Sequence, residues 1–185
     1  MIIYPTETFY GLGGNPKLPQ AVERIYRVKG REFSKPLPLI ASNLAAVYEA
    51  VSEWPILAEK LARAFWPGPL TLILPAAAHL LPQLHGASGK IGIRVSSHPV
   101  AQALAAAAGG LLTATSANQT HQPAFQTPAG IPAEFLALVD GLVDGGPTGV
   151  DWGNLPSTIV DACAFPPTLI RTGCITWERV LQVIG

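Results

Sequence analysis

The chain has 185 residues, 49% of them apolar and only 13% charged, with a formal net charge of zero. That balance argues against a protein coated in positive charge for nucleic acid, and the length suits one globular domain over residues 1–185 with a sizeable core. No apolar run reaches the ~18 residues that a membrane span requires, so a soluble, cytoplasmic protein is expected.

In chain order, "IIY" at residues 2–4 reads as a short strand, broken by Pro5 and followed by the glycine-rich turn "GLGG". "PQAVERIYRVKG" reads as a helix, because Val22, Ile25, Tyr26 and Lys29 recur at helical spacing and Gly30 stands at the cap. Lys29 therefore leaves that helix on its inward face. "LPLIAS" is a candidate strand, and residues 56–66 form an amphipathic helix. "LTLIL" and "IGIRV" are further strands, the second carrying Arg94 near its end. "SHPVAQALAAAAGG" is a helix with Pro99 in its first turn and His98 at its start. "LLTATSAN" runs from an apolar strand into a polar turn, "STIVDA" and "TLIRTG" are late strands, and "TWERVLQVIG" closes the chain as a helix. Strands that alternate only partly with helices predict an α/β domain with a twisted mixed sheet.

The cations are unevenly spread. Arg24, Arg27, Lys29, Arg31 and Lys35 fall within twelve residues, and no Asp or Glu occurs between Leu61 and Ala133, where Arg63, Lys90 and Arg94 have no local carboxylate. A concave anion site is expected from this. Four strand ends also carry small polar residues: Thr6 and Thr8; Thr115, Ser116 and Asn118; Ser157 and Thr158; Arg171 and Thr172. In open α/β sheets ligands collect at strand ends, where short side chains and backbone N–H groups can approach phosphate.

Other chemistries find little footing. The chain has no GxxxxGK[ST] loop, and "GLGG" does not complete GxGxxG. The four histidines lack metal-ligand spacing, no GxSxG turn presents Ser116 as a nucleophile, and Cys163 and Cys174 read as core residues.

The segments "PTETFYGLG", "KGREFSKPLPL", "WPGPLTLIL", "IGIRVSSHP", "TSAN", "STIVD" and "IRTG" stand in an order and spacing that resembles the YrdC/Sua5 family of L-threonylcarbamoyladenylate synthases, in its short, single-domain form. The resemblance implies a twisted mixed sheet flanked by helices, with a basic concave surface. It also implies use of ATP, with Mg2+ carried on its phosphates, L-threonine and bicarbonate to form threonylcarbamoyl-AMP and pyrophosphate. That product feeds the t6A modification at tRNA position 37 through a companion threonylcarbamoyl transferase system, with direct contact to tRNA a further implied partner. Two departures stand out. Met1 lies almost against the "PTET" segment, so the N-terminal edge element is expected to be shortened, and "TSAN" continues as "QTHQPA" where relatives commonly have Ser-Gly.

The reaction fits these residue types. A carbamate made from the threonine amine must attack the α-phosphate of ATP, so two anions meet and the site has to position and neutralise them. Lys29 and Arg31 are the expected catalytic residues. Lys29, Arg94, Ser116, Asn118, Ser157 and Arg171 are expected at the nucleotide, and Thr6, Thr8, Tyr10 and Arg31 at threonine and bicarbonate. Leu37 and Leu39 are candidate walls for the adenine or the threonine methyl. No protein-bound metal is expected. Two alternatives are a module that binds tRNA or double-stranded RNA, and a carbamoyl-adenylate-forming domain of the hydrogenase-maturation type.

Overall fold

Alternation along a strand sorts its side chains onto two faces, and here that sorting separates core from cavity. In the computed structural model, which describes residues 1–185, ten strands form two mixed sheets rather than the single one expected. The larger has the order β10-β9-β4-β5-β3-β6, built from β3 (Leu39–Ala41), β4 (Leu70–Pro75), β5 (Lys90–Val95), β6 (Leu111–Thr113), β9 (Thr158–Asp161) and β10 (Thr168–Arg171). The smaller, β7-β2-β1-β8, comprises β1 (Ile2–Tyr4), β2 (Gly11–Gly13), β7 (Thr115–Ser116) and β8 (Gly141–Leu142).

"GLGG" is the clearest departure from the expected layout, since Gly11–Gly13 is a strand and not a turn. A Cβ at Gly13 would come within 2.5 Å of the Thr113 carbonyl oxygen and 2.7 Å of the Tyr4 ring. The glycines here serve close backbone approach between the two sheets, which composition alone does not distinguish from a turn.

α1 (Pro19–Lys29) begins with proline and ends at Gly30, whose left-handed φ of 57° closes the last turn onto Arg27 and Tyr26. Its buried face is Val22, Ile25, Tyr26 and Lys29, as the spacing requires. α3 (Ile56–Phe65) packs against the C-terminal α7 (Trp177–Ile184), with the Arg179 guanidinium 5.6 Å from the Phe65 ring centroid. α5 (Pro99–Ala107) starts at His98, whose ring accepts from the Val100 N–H. Three helices escape the sequence pattern. α2 (Leu44–Ala50) is capped by the Asn43 side chain, while α4 (Pro82–His85) and α6 (Ala133–Leu136) are too short for any period to emerge.

One extended core holds Leu37, Leu39, Leu61, Leu70, Leu72, Leu74, Ile91, Ile93 and Val160, all without exposed surface. A second, smaller cluster joins Tyr4, Ile40, Leu112 and Ala114 to Ala101 and Ala105 of α5. Cys163 and Cys174 sit in neither core, contrary to expectation; both are half-buried, and burial pushes each thiol up to about 11. No helix is long and apolar enough to cross a membrane.

Candidate active site

The residues of β4, β5 and β9 that alternate with the core leucines and isoleucines line a cavity of about 860 Å³. Its floor carries Thr71 and Ile73, then Lys90, Gly92 and Arg94, then Ile159 and Asp161. The "PTET" turn and the turn after β7 form its walls, contributing Thr6, Thr8 and Tyr10, and Ser116 and Asn118. Arg31, Ser157 and Arg171 complete the set, so every expected nucleotide, threonine or bicarbonate residue except Lys29 borders one space. The volume is that of a small-molecule site.

Lys29 stands behind the wall. Its side chain is buried, and its ammonium donates to the carbonyl oxygens of Ser116 and Asn118, each at 2.6 Å, and to Asn118 Oδ1 at 3.2 Å. All three protons are thus spent on the turn. Burial, with some help from Arg31, brings its pKa down to about 7. The same contact runs in reverse: Thr120 donates both its N–H and its hydroxyl to the Lys29 carbonyl oxygen.

Arg31 reaches the cavity along its own loop, donating to Lys35 O at 3.3 Å and Pro36 O at 2.8 Å. Alternation decides the rest of "KPLPL". Pro36 and Pro38 line the cavity, whereas Leu37 and Leu39, the expected substrate walls, point into the main core. Arg171 holds Ser157 by its carbonyl at 2.7 Å and its hydroxyl at 2.9 Å, and Ser157 Oγ meets Thr71 Oγ1 at 3.0 Å. Burial, then the nearby charge of Arg94, lowers the Arg171 pKa from its ordinary value.

In the "PTET" turn the Thr6 hydroxyl donates to Phe9 O at 2.7 Å and lies 3.2 Å from Thr8 Oγ1. With the Thr6 proton committed, the Thr8 hydroxyl donates to Thr6 and keeps its lone pairs for another group. The Tyr10 hydroxyl donates to Gly146 O at 2.8 Å and accepts from Gly145 N–H at 3.1 Å, so it braces the loop at residues 145–146. Burial chiefly raises its pKa.

The three cations expected to be free of carboxylates are all paired, two of them through tertiary contacts. Lys90 meets Asp161 at 2.8 Å, Arg94 meets Glu7 at 3.0 Å, and Arg63 meets Glu59 one helical turn back. Sequence distance hid the partners of Lys90 and Arg94, because the fold brings together residues about seventy to ninety positions apart, whereas Glu59 lies one turn from Arg63 in the same helix. Thr71, Lys90, Asp161 and Gln122 also line the cavity; Lys90 was expected only as one of the cations pointing to an anion site, and the other three were not anticipated. For Thr71, Lys90 and Asp161, the signal was an outward strand position between core residues.

The chain matches the Sua5/YciO/YrdC family model, described as "Telomere recombination", over residues 1–173. It belongs to that family. It is 36% identical to the threonylcarbamoyl-AMP synthase of Bacillus subtilis, covering 100% of this chain and 53% of the relative. With the enzyme of the same name from Alkalilimnicola ehrlichii it is 38% identical, over 88% of this chain and 84% of the other. The fold superposes on P. abyssi Sua5 complexed with L-threonine with a TM-score of 0.93 at 33% identity, covering 100% of this chain and 53% of that one. The chain thus spans about half the length of the B. subtilis and P. abyssi proteins.

Proposed function

We propose that this family member is a threonylcarbamoyl-AMP synthase, taking L-threonine, bicarbonate and ATP to threonylcarbamoyl-AMP and pyrophosphate. The observation that carries the reading is the single cavity into which three guanidinium groups, Arg31, Arg94 and Arg171, converge with the hydroxyls of Thr8, Ser116 and Ser157. The synthase name of the 33–38% identical relatives supports it.

The chemistry sets the roles. Bicarbonate and the threonine amine combine to a carbamate with loss of water. A carbamate oxygen then bonds to the α-phosphorus of ATP while the bond to the β-phosphate oxygen breaks, releasing pyrophosphate. Nucleophile and electrophile are both anionic, so fixed cations in a partly dry cavity lower the barrier by holding the two together. Arg31 faces the carbamate and the threonine carboxylate, while Arg94 and Arg171 face phosphate oxygens. Mg2+ arrives on the nucleotide.

Ser116 donates its hydroxyl proton to Asn118 Oδ1, which leaves it an acceptor toward the cavity. An acceptor suits a ribose hydroxyl better than a phosphate oxygen. Lys29 acts from behind, fixing the Ser116 and Asn118 turn, and Thr8 accepts from the threonine hydroxyl. The product goes to a threonylcarbamoyl transferase system that modifies tRNA position 37, in the cytoplasm. Incubating the purified protein with ATP, bicarbonate and labelled threonine tests the proposal. Threonylcarbamoyl-AMP and pyrophosphate should appear together, and pyrophosphate release that persists without threonine or bicarbonate would overturn it.

A further inference from the structure

Glu7 sits between the two threonines of the "PTET" turn, 8% exposed, and does not line the cavity. Its Oε1 lies 3.0 Å from Arg94 Nε, with the two side chains 4% and 9% exposed. The N–H direction misses Oε1, so the two meet as ions and not through an aligned hydrogen bond. Glu7 Oε2 accepts from the hydroxyl of Ser96, a residue with no exposed surface. Ser96 is itself fixed from α5: its carbonyl accepts from Gln102 Nε2 at 2.7 Å, and its Oγ accepts from the His98 N–H at 3.2 Å. A buried chain therefore runs from the start of α5 through Ser96 and Glu7 to the inner edge of the Arg94 guanidinium. No protein group accepts from the Arg94 Nη atoms, and Arg94 lines the cavity.

We propose that Glu7 is the positioning residue for Arg94: its carboxylate holds the Nε edge of the guanidinium so that the two Nη groups present a fixed pair of donors to a phosphate group in the cavity. A guanidinium binds phosphate best through two parallel N–H groups, and that geometry is lost when the plane can swing. Arginine alone would gain rotamer freedom here; the buried carboxylate removes it. The same carboxylate belongs to the turn that carries Thr6 and Thr8, so one side chain sets the relative placement of the phosphate donors and the threonine wall. The assignment of phosphate to Arg94 rests on the synthase reading, whereas the Glu7–Arg94 coupling does not.

Calorimetric titration with inorganic pyrophosphate tests this without turnover. Glu7→Gln keeps the shape and the capacity to accept from Ser96, and removes the charge. It should weaken pyrophosphate binding about 10-fold or more, given how steeply such contacts depend on placement. In an Arg94→Gln background the same change should have no further effect, because Glu7 acts only through Arg94. Glu7→Asp should restore part of the affinity. Should Glu7→Gln fail to fold, Ser96→Ala frees one end of the carboxylate and should weaken pyrophosphate binding with the charge retained. Equal losses from Glu7→Gln in both backgrounds, or unchanged affinity in Glu7→Gln or, failing that, in Ser96→Ala, would overturn the proposal. Wild-type protein that binds no pyrophosphate overturns the phosphate role of Arg94. Binding without threonine-dependent turnover would instead count against the synthase reading alone.

Discussion

Lys29 Nζ lies 2.6 Å from the carbonyl oxygens of both Ser116 and Asn118, so the last residue of α1 clamps the turn that follows β7. Replacing it by methionine keeps the aliphatic stem and leaves the Asn118 carbonyl oxygen without its donor, while Ser116 O still accepts from the Asn118 N–H and Asn118 Oδ1 from the Ser116 hydroxyl. Leaving such a group unpaired costs roughly 1–3 kcal/mol where water cannot enter. Lys29→Met should therefore lower both unfolding free energy and ATP affinity. Arg31→Ala should leave stability nearly unchanged while cutting turnover roughly 10²- to 10³-fold, the usual effect of losing one preorganised electrostatic contact. Denaturant melts beside steady-state kinetics separate the two, and a Lys29→Met protein of wild-type stability would remove the clamp.

The Lys29 clamp also predicts a pH dependence. Burial holds the folded pKa at about 7, below the ordinary lysine value, so between pH 7 and about 10 the unfolded chain carries a proton that the folded chain lacks. Stability then rises with pH across that window from this group, and below pH 7 the dependence vanishes because both states are protonated. The slope cannot exceed about 1.4 kcal/mol per pH unit. Melts of wild type and Lys29→Met at pH 6, 8 and 9.5 should converge on one another's slope below pH 7 and diverge above it. Parallel curves throughout would mean that the three carbonyl contacts keep the ammonium charged.

Gly173 packs against the backbone of the turn that Arg171 holds. A Cβ there would collide with the Pro156 carbonyl oxygen and lie 2.6 Å from the backbone of Ser157 and Thr158. Backbone cannot yield as a side chain can, so Gly173→Ala should cost about 1–3 kcal/mol or more and displace Ser157 from Arg171. Gly141→Ala meets nothing within 4 Å and serves as the control, expected near neutral. Chemical denaturation of the two variants decides it, since equal stabilities would show that the 156–158 backbone shifts freely.

These residues mark what the sequence made readable. Short apolar runs located the strands β1, β3–β6, β9 and β10, and helical spacing located α1, α3, α5 and α7. It also turned Lys29 inward. Periodicity could not tell which face of each strand would become floor and which core, so Thr71 on β4 and Asp161 on β9 went unnoticed while Leu37 and Leu39 were expected at the ligand. Pairing was invisible for the same reason: Glu7 and Asp161 reach Arg94 and Lys90 only after the sheets form. Glycine misled at "GLGG", where the absent Cβ admits Thr113 and Tyr4 instead of bending the chain.

Substrate choice should follow the hydroxyl of threonine more than its methyl. Thr6 spends its proton on Phe9 O, Thr8 donates to Thr6, and the Thr8 lone pairs are left to accept from a ligand hydroxyl at the cavity wall. A site arranged around a hydroxyl rejects an analogue lacking it by about 10⁴-fold, whereas one methyl group is worth ~1–3 kcal/mol. Serine should therefore be a poor but measurable substrate and valine nearly inert. Thr8→Val should erase most of that preference, because it replaces the acceptor with a methyl of similar size, while Tyr10→Phe should act mainly on stability through the lost contacts to Gly145 and Gly146. Comparing kcat/KM for threonine, serine and valine in wild type and Thr8→Val reads this directly. If valine outperforms serine in the wild type, the wall recognises shape alone, and the threonine hydroxyl is held elsewhere in the cavity.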